Sequence, residues 1–234
     1  YKDENIAFRD AARRLSDYRD STTLIETSDR IATRFATMAR EQTFNQVHDR
    51  LLEHRRRLDD NEVDEALARF RADMVRALDR SVDWTLDPDS FEAIRKGVRK
   101  TYRRACKMMA EADEARTGEV LHEWRKRVKY HWYHARLLKN ISPVMAPHVS
   151  LADQLAGLLG DHHDLVVFAQ TLADPALGLD QTQHEFLYGL ICGHQRTLED
   201  DAFTLGQKLL AEKPCHLAER WARYWTEWQA EAGN

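Results

Sequence analysis

The 234-residue sequence predicts an all-α fold, on three observations. Glycine (9) and proline (5) fall well below the ~7 % and ~5 % usual in globular chains, so the tight turns of a sheet protein have few residues to build them. Apolar residues make up 43 % of the chain and recur at three- and four-residue spacing, the period of a helix face. The interruptions in that spacing fall at Asp, Asn, Thr, Pro and Gly, the residue types that start and stop helices.

The elements follow in order. Leu51, Leu52 and Leu58, then Val63, Leu67, Phe70, Met74 and Leu78, predict two helices broken near Asp59–Asn61. Asn61 would cap the second, with Asp64 and Glu65 complementing the dipole in its first turn. Pro88 sets the next break, and a helix is expected over about Phe91–Ala115. Thr117 resembles the cap of another, ending near Asn140 before Ser142 and Pro143. Pro147 precedes a helix over about Val149–Leu159. Gly160 is expected to close it and Asp161 to cap a fresh helix, covering Leu165–Ala173. Helices over Gln181–Leu210 and His216–Ala232 complete the chain. The last carries Trp221, Trp225 and Trp228 in a stripe expected to be core.

Several classes are excluded on sequence. No apolar run approaches the ~18 residues of a membrane span and no signal-peptide pattern opens the chain. Cys106, Cys192 and Cys215 are an odd number with no C-x-x-C pair, so neither a disulfide framework nor a zinc ribbon is expected, and a cytoplasmic setting is. The formal net charge of −4 conceals a strong asymmetry. Arg95–Lys139 holds 14 Lys/Arg against 5 Asp/Glu, while the rest of the chain holds 21 against 34. Such a basic block attracts polyanions locally whatever the total charge; otherwise it is a solvated helix face.

Leu15-Ser-Asp-Tyr-Arg-Asp20 aligns with Leu159-Gly-Asp-His-His-Asp164, and Thr27 with Thr171 at the same offset. This internal repeat suggests two related helical halves. The strongest constellation is His122-Glu-Trp-Arg-Lys-Arg-Val-Lys129, which puts His122, Arg125, Lys126 and Lys129 on one helical stripe. Like charges at these spacings repel, so the stripe calls for an anion or a facing row of carboxylates. The preceding helix has its own stripe of Lys96, Arg99, Arg103 and Lys107, with Arg95, Lys100 and Arg104 beside it and no acidic residue between Arg95 and Lys107. If the helices are antiparallel neighbours, the two stripes are expected to line one groove. Arginine gives bidentate contacts to phosphate oxygens and lysine adds mobile point charges. His122 would donate best when protonated, so binding is expected to strengthen as pH falls.

Leu121-His-Glu-Trp-Arg-Lys-Arg-Val-Lys-Tyr-His-Trp-Tyr133, followed by Leu155-Ala-Gly-Leu-Leu-Gly-Asp-His-His-Asp-Leu165, resembles the CHAD domain, the conserved histidine α-helical domain. Lys96–Arg104 resembles that family's basic helix, and Phe8–Asp20 the corresponding element of its first half. The resemblance implies two similar four-helix bundles related by an approximate two-fold, here with a first half over 1–87 and a second over 88–234. It implies binding of inorganic polyphosphate in a basic cavity between the bundles, without catalysis and without a cofactor or metal. A triphosphate-hydrolysing partner domain often accompanies the family; no such β-rich domain is expected in this chain. His122, Arg125, Lys126 and Lys129 match the second His motif, and Arg99, Arg103 and Arg104 the basic helix. Cys106 stands where another Arg is common, beside Lys107, and His131 replaces an apolar residue. The family's first His-x-x-Arg helix has no counterpart from Tyr1 onward, so the first half is expected to be incomplete, with Arg9, Arg13 and Arg19 as its remaining candidates.

Rival readings come from other classes. His162-His163-Asp164, with His122 or His184, would suit a metal-dependent helical phosphohydrolase, although Asp161 and Asp164 read better as caps. Glu119-x-x-His122 is one Glu-x-x-His motif where a di-iron bundle needs two. Cys106 and the serines show no base arrangement for acyl transfer. A basic interaction module binding nucleic acid or protein would use the same block, with Tyr102, Trp124 and Trp132 as stacking groups.

Overall fold

The computed structural model describes residues 2–37, 41–57, 60–85 and 90–232. The described residues form nine α-helices: α1 (Lys2–Arg13), α2 (Ser16–Arg34), α3 (Glu41–Arg56), α4 (Asp60–Ser81), α5 (Glu92–Ala115), α6 (Gly118–Leu137), α7 (Met145–Thr171), α8 (Gln181–Leu209) and α9 (Pro214–Ala232). A 3-10 turn at Pro175–Leu177 lies between α7 and α8. The fold is all-α. The expected break near Asp59 and Pro88 lie outside the described residues; α4 starts at Asp60, so Asn61 is inside the helix rather than its cap.

The chain divides into two compact units. The first comprises residues 1–85 and 167–191, the second 86–166 and 192–234, so α7 and α8 each contribute to both. In the first unit the apolar sides of α2 and α3 bury Ile31, Phe44, Val47 and Leu51. Gln46 donates from Nε2 to the carbonyls of Leu177 (3.1 Å) and Gly178 (2.9 Å), tying the 3-10 turn to α3. Ion pairs Arg80–Glu4 (2.6 Å) and Arg14–Asp73 join α1 to α4.

The second unit packs around Trp124, Trp221, Tyr102, Leu121, Met145, Leu155 and Leu159, all essentially inaccessible. Trp124 stacks on Phe203, with centroids 5.0 Å apart. Its six-membered ring fits over Gly206, where a Cβ would come within 2.8 Å of Trp124 Cζ2 and 2.9 Å of Met109 Sδ. The tryptophan stripe of α9 grades outward: Trp221 is core, Trp225 is half-buried and Trp228 is 37 % exposed.

Thr117 caps α6 as expected, its side chain accepting from Val120 N at 3.4 Å. Two expectations are corrected in α7. The helix starts at Met145, with Pro147 inside its first turn, where a missing N–H costs nothing. It then runs unbroken for 27 residues through Gly160 and Asp161. Gly160 does not end a helix and Asp161 and Asp164 do not cap one. In the first half the aligned segment does break, α2 starting at Ser16 after Leu15, which makes no side-chain cap bond. Asp17's side chain lies outside those described.

Candidate functional site

The dense cations of the sequence sit on one helical hairpin. α5 and α6 are separated only by Arg116 and Thr117, so they run antiparallel. Arg116 makes the reversal in a left-handed conformation (φ 45°), its guanidinium lying 4.0 Å from the Phe203 ring centroid. The seam is marked by Thr101 Oγ1, 3.1 Å from His134 Nδ1. Both helices bury one side: Val98, Tyr102 and Ala105 on α5, Leu121, Trp124 and Val128 on α6. At about 100° per residue, their cations fall on the reverse. Lys96, Lys100 and Lys107 therefore share an outer face with Lys126, flanked by Arg103 and Arg104 on α5 and by Lys129 on α6, while Arg99 splays to the edge and His122 turns toward α7. The Thr101–His134 register brings Arg104 and Lys107 level with the stretch around Lys126 and Lys129. The two helices turn their apolar sides the same way, so the stripes lie side by side.

On α6 the cations are not equivalent. Arg125 is half-buried against α7. A Cβ on Gly160 would lie 3.2 Å from its Nε and 3.5 Å from its Nη2, so the absent side chain is what admits the guanidinium. The buried Nε has no hydrogen-bond partner, and among the described residues Arg125 has no ion pair. Lys126 is held by Glu123 at 2.5 Å, and the same carboxylate takes Arg127 at 3.1 Å. These pairs are local, and on an exposed surface each is worth little. Lys129 Nζ lies 6.0 Å from the centroid of the Tyr133 ring.

The His122 ring packs tilted against His163 of α7, centroids 4.0 Å apart. Its pKa is pushed down to about 4, first by burial and then by His163, Lys126 and Arg125. The ring is therefore neutral at neutral pH, and the strengthening of binding expected as pH falls would set in only toward that value. A bound anion would oppose this shift, because a nearby negative charge favours the protonated form. His122 Nδ1 is buried and unpartnered.

On α5, Lys96, Arg99, Lys100, Arg103 and Arg104 are exposed and among the described residues make no ion pair. Arg95 is taken by Glu92 (2.6 Å) and Lys107 by Glu111 (2.9 Å). Cys106 turns inward, its Sγ 3.9 Å from the Leu210 carbonyl, and burial pushes its thiol up to about 11. It neither extends the cation row nor offers a thiolate.

A family model, that of the CHAD domain, matches residues 1–173. The chain belongs to the CHAD family. The match takes in α1 to α7, and with them every candidate cation of this CHAD chain. No curated protein and no solved structure matches it.

The remaining candidates in the CHAD match belong to the first unit. Arg9 pairs with Asp10 and Arg19 with Asp20, both at 2.9 Å and well exposed, and Arg13 is exposed. A cavity of about 490 Å³ in this unit, lined by Gln42, Gln46, Asp180 and Phe186 among others, contains none of the candidate cations.

The histidines proposed for a metal diverge. His162 turns into the second unit, its Nε2 3.0 Å from Glu199 Oε1, whereas His163 packs against His122. Among the described residues no group of three His, Cys, Asp or Glu side chains is placed to hold a metal ion. No described helix is long and apolar enough to cross a membrane. Tyr102 and Trp124, offered as stacking groups, are fully buried, and Trp132 is half-buried. By sequence His163 reads only as a metal ligand and Gly160 only as a helix end, and neither as a neighbour of the α6 cations. Their signal is the Leu-Gly-Asp-x-x-Asp element itself, whose glycine reads as a helix end until its neighbour on α6 is known.

Proposed function

We propose that this CHAD chain binds inorganic polyphosphate along the outer basic face of α5 and α6, without catalysis of its own and in the cytoplasm. One observation carries the reading: Arg125 is a half-buried guanidinium with a buried, unpartnered Nε and, among the described residues, no carboxylate partner, and Lys129 and the exposed α5 cations Lys96, Arg99, Lys100, Arg103 and Arg104 likewise make no ion pair there. Leaving a buried charged donor unsatisfied is costly. Phosphate oxygens satisfy it with charge-assisted bonds that neutral partners do not match. Lys96, Lys100, Arg104, Lys126 and Lys129 would supply further phosphate contacts, and Arg99 and Arg103 the surrounding field. Each added phosphate on a tethered chain brings another contact, which favours long chains. Other polyanions would compete by charge alone, and a triphosphatase-type domain is the partner whose substrate this chain would hold.

The test is calorimetric titration with long-chain polyphosphate at low and raised salt, with duplex DNA at matched phosphate as control. Tight, salt-sensitive binding selective for polyphosphate supports the reading. The Arg125→Ala, Lys129→Ala double variant should keep its helical signal and lose most of the affinity. Unchanged affinity in that variant would remove the proposed surface.

A further inference from the structure

The outer face of the hairpin carries more than charge. Lys126, Lys129, Tyr130, Tyr133 and Leu137 recur at three- and four-residue spacing along α6 and form one stripe about 16 Å long. Tyr130 is 52 % exposed, Tyr133 44 % and Leu137 82 %, an unusual exposure for three such residues in a row. Cations alternate with rings along this helix. Lys129 lies over Tyr133, the Tyr133 ring is 4.9 Å from Trp132, and Arg136 sits 5.1 Å over the Trp132 ring. By the antiparallel register set at Thr101 and His134, Lys100, Arg103 and Arg104 on α5 run beside the same stretch. Phosphate alone has no use for exposed aromatic rings. A ligand that alternates phosphates with flat, unpaired bases uses both, the rings by stacking and the cations by neutralising the backbone. Duplexes hide their base faces and cannot stack in this way.

We infer that the Tyr130–Tyr133 stripe of α6, flanked by Lys126, Lys129 and the cations of α5, is a binding site for single-stranded nucleic acid. The inference shares Lys126 and Lys129 with the polyphosphate reading and goes beyond it, because the aromatic faces, unlike the tyrosine hydroxyls, have no role toward a ligand without bases.

The experiment measures affinity of the whole chain by fluorescence anisotropy for oligo(U) and oligo(dT) of about 20 nucleotides, longer than the ~4–16 a single site covers. A duplex of equal phosphate number and long-chain polyphosphate are titrated at the same salt. Single strands should bind at least tenfold tighter than the duplex. Tyr130→Leu with Tyr133→Leu keeps apolar bulk and helix propensity but removes both π faces. It should weaken single strands by roughly tenfold or more while leaving polyphosphate within about twofold. Lys126→Ala with Lys129→Ala should weaken both. Circular dichroism confirms that each variant is folded. Equal binding of oligo(U) by the double tyrosine variant, or equal binding of single strand and duplex by the wild type, overturns the inference. Oligonucleotide binding without polyphosphate binding defeats the proposed function alone, and the reverse defeats this inference alone. A preference between oligo(U) and oligo(dT) tells RNA from DNA.

Discussion

The Arg125 guanidinium lies against Gly160, where a Cβ would approach its Nε to 3.2 Å. Gly160 sits within a continuous helix, so its value there is space rather than backbone freedom. A mid-helix glycine costs about 0.5–1 kcal/mol relative to alanine, and the recess it makes receives a half-buried cation of the candidate site.

Gly160→Ala therefore separates binding from stability. Helix propensity should hold or slightly raise the melting temperature, while displacement of Arg125 weakens polyphosphate binding by roughly fivefold, on the order of 1 kcal/mol. Calorimetric titration and thermal melting of one sample check both. A variant that melts lower and binds normally would mean that the recess matters only to packing.

Gly206→Ala should act in the opposite sense. Its Cβ would meet Trp124 Cζ2 at 2.8 Å and Met109 Sδ at 2.9 Å. Met109 can adjust, but Trp124 is locked between Phe203 and the core. Overpacking of this kind costs about 1–3 kcal/mol, more than the helix gain returns. A melting temperature lower by about 2–4 °C per net kcal/mol is expected for a chain of this size.

Acid should destabilise the second unit through a buried histidine pair. His131 Nε2 and His148 Nε2 are 2.7 Å apart, with Trp221 stacked on His131. Burial pushes His148 down to about 4, and burial followed by His148 and His134 pushes His131 far below its usual 6.5. Both rings are neutral when folded, and both protonate near 6.5 when unfolded. The unfolded state thus binds more protons below that pH, so stability is full above about 6.5 and falls as pH drops toward 4. The slope is about 1.4 kcal/mol per pH unit for each histidine. Denaturant titrations across this range should show it. His148→Phe should flatten the profile, and an unchanged profile would place the acid sensitivity elsewhere, for example at the His162–Glu199 pair.

Salt dependence should report how many cations touch the ligand. For a flexible polyanion the slope of log K against log salt is about −0.7 per phosphate neutralised. Arg104→Ala should reduce its magnitude by about one such step. Lys107→Ala should reduce it less, because Glu111 already holds Lys107. Equal slopes in all three proteins would mean that these residues supply field and no contact.

Much of this was legible in the chain itself. Helix class, the Thr117 cap, the α5–α6 hairpin and the stripe from His122 to Lys129 follow from local rules, because capping and 3.6-residue periodicity depend on neighbours in sequence. The aromatic positions were legible only as candidates. Tyr102 and Trp124 have the composition of a stacking surface, yet they are the core, while Tyr130 and Tyr133 are exposed. Which side of α6 is covered depends on where its apolar side docks. Gly160 misled for the same reason: glycine marks a helix end by its freedom, or a close approach by its size, and sequence alone does not distinguish them. The sequence by itself determined that this protein is helical, that it belongs with CHAD domains and where its cations concentrate. Only the tertiary structure decided that the cations lie side by side on one face, that Arg125 is set in a recess and that His122 is neutral, since each of these depends on atoms brought together by packing between helices.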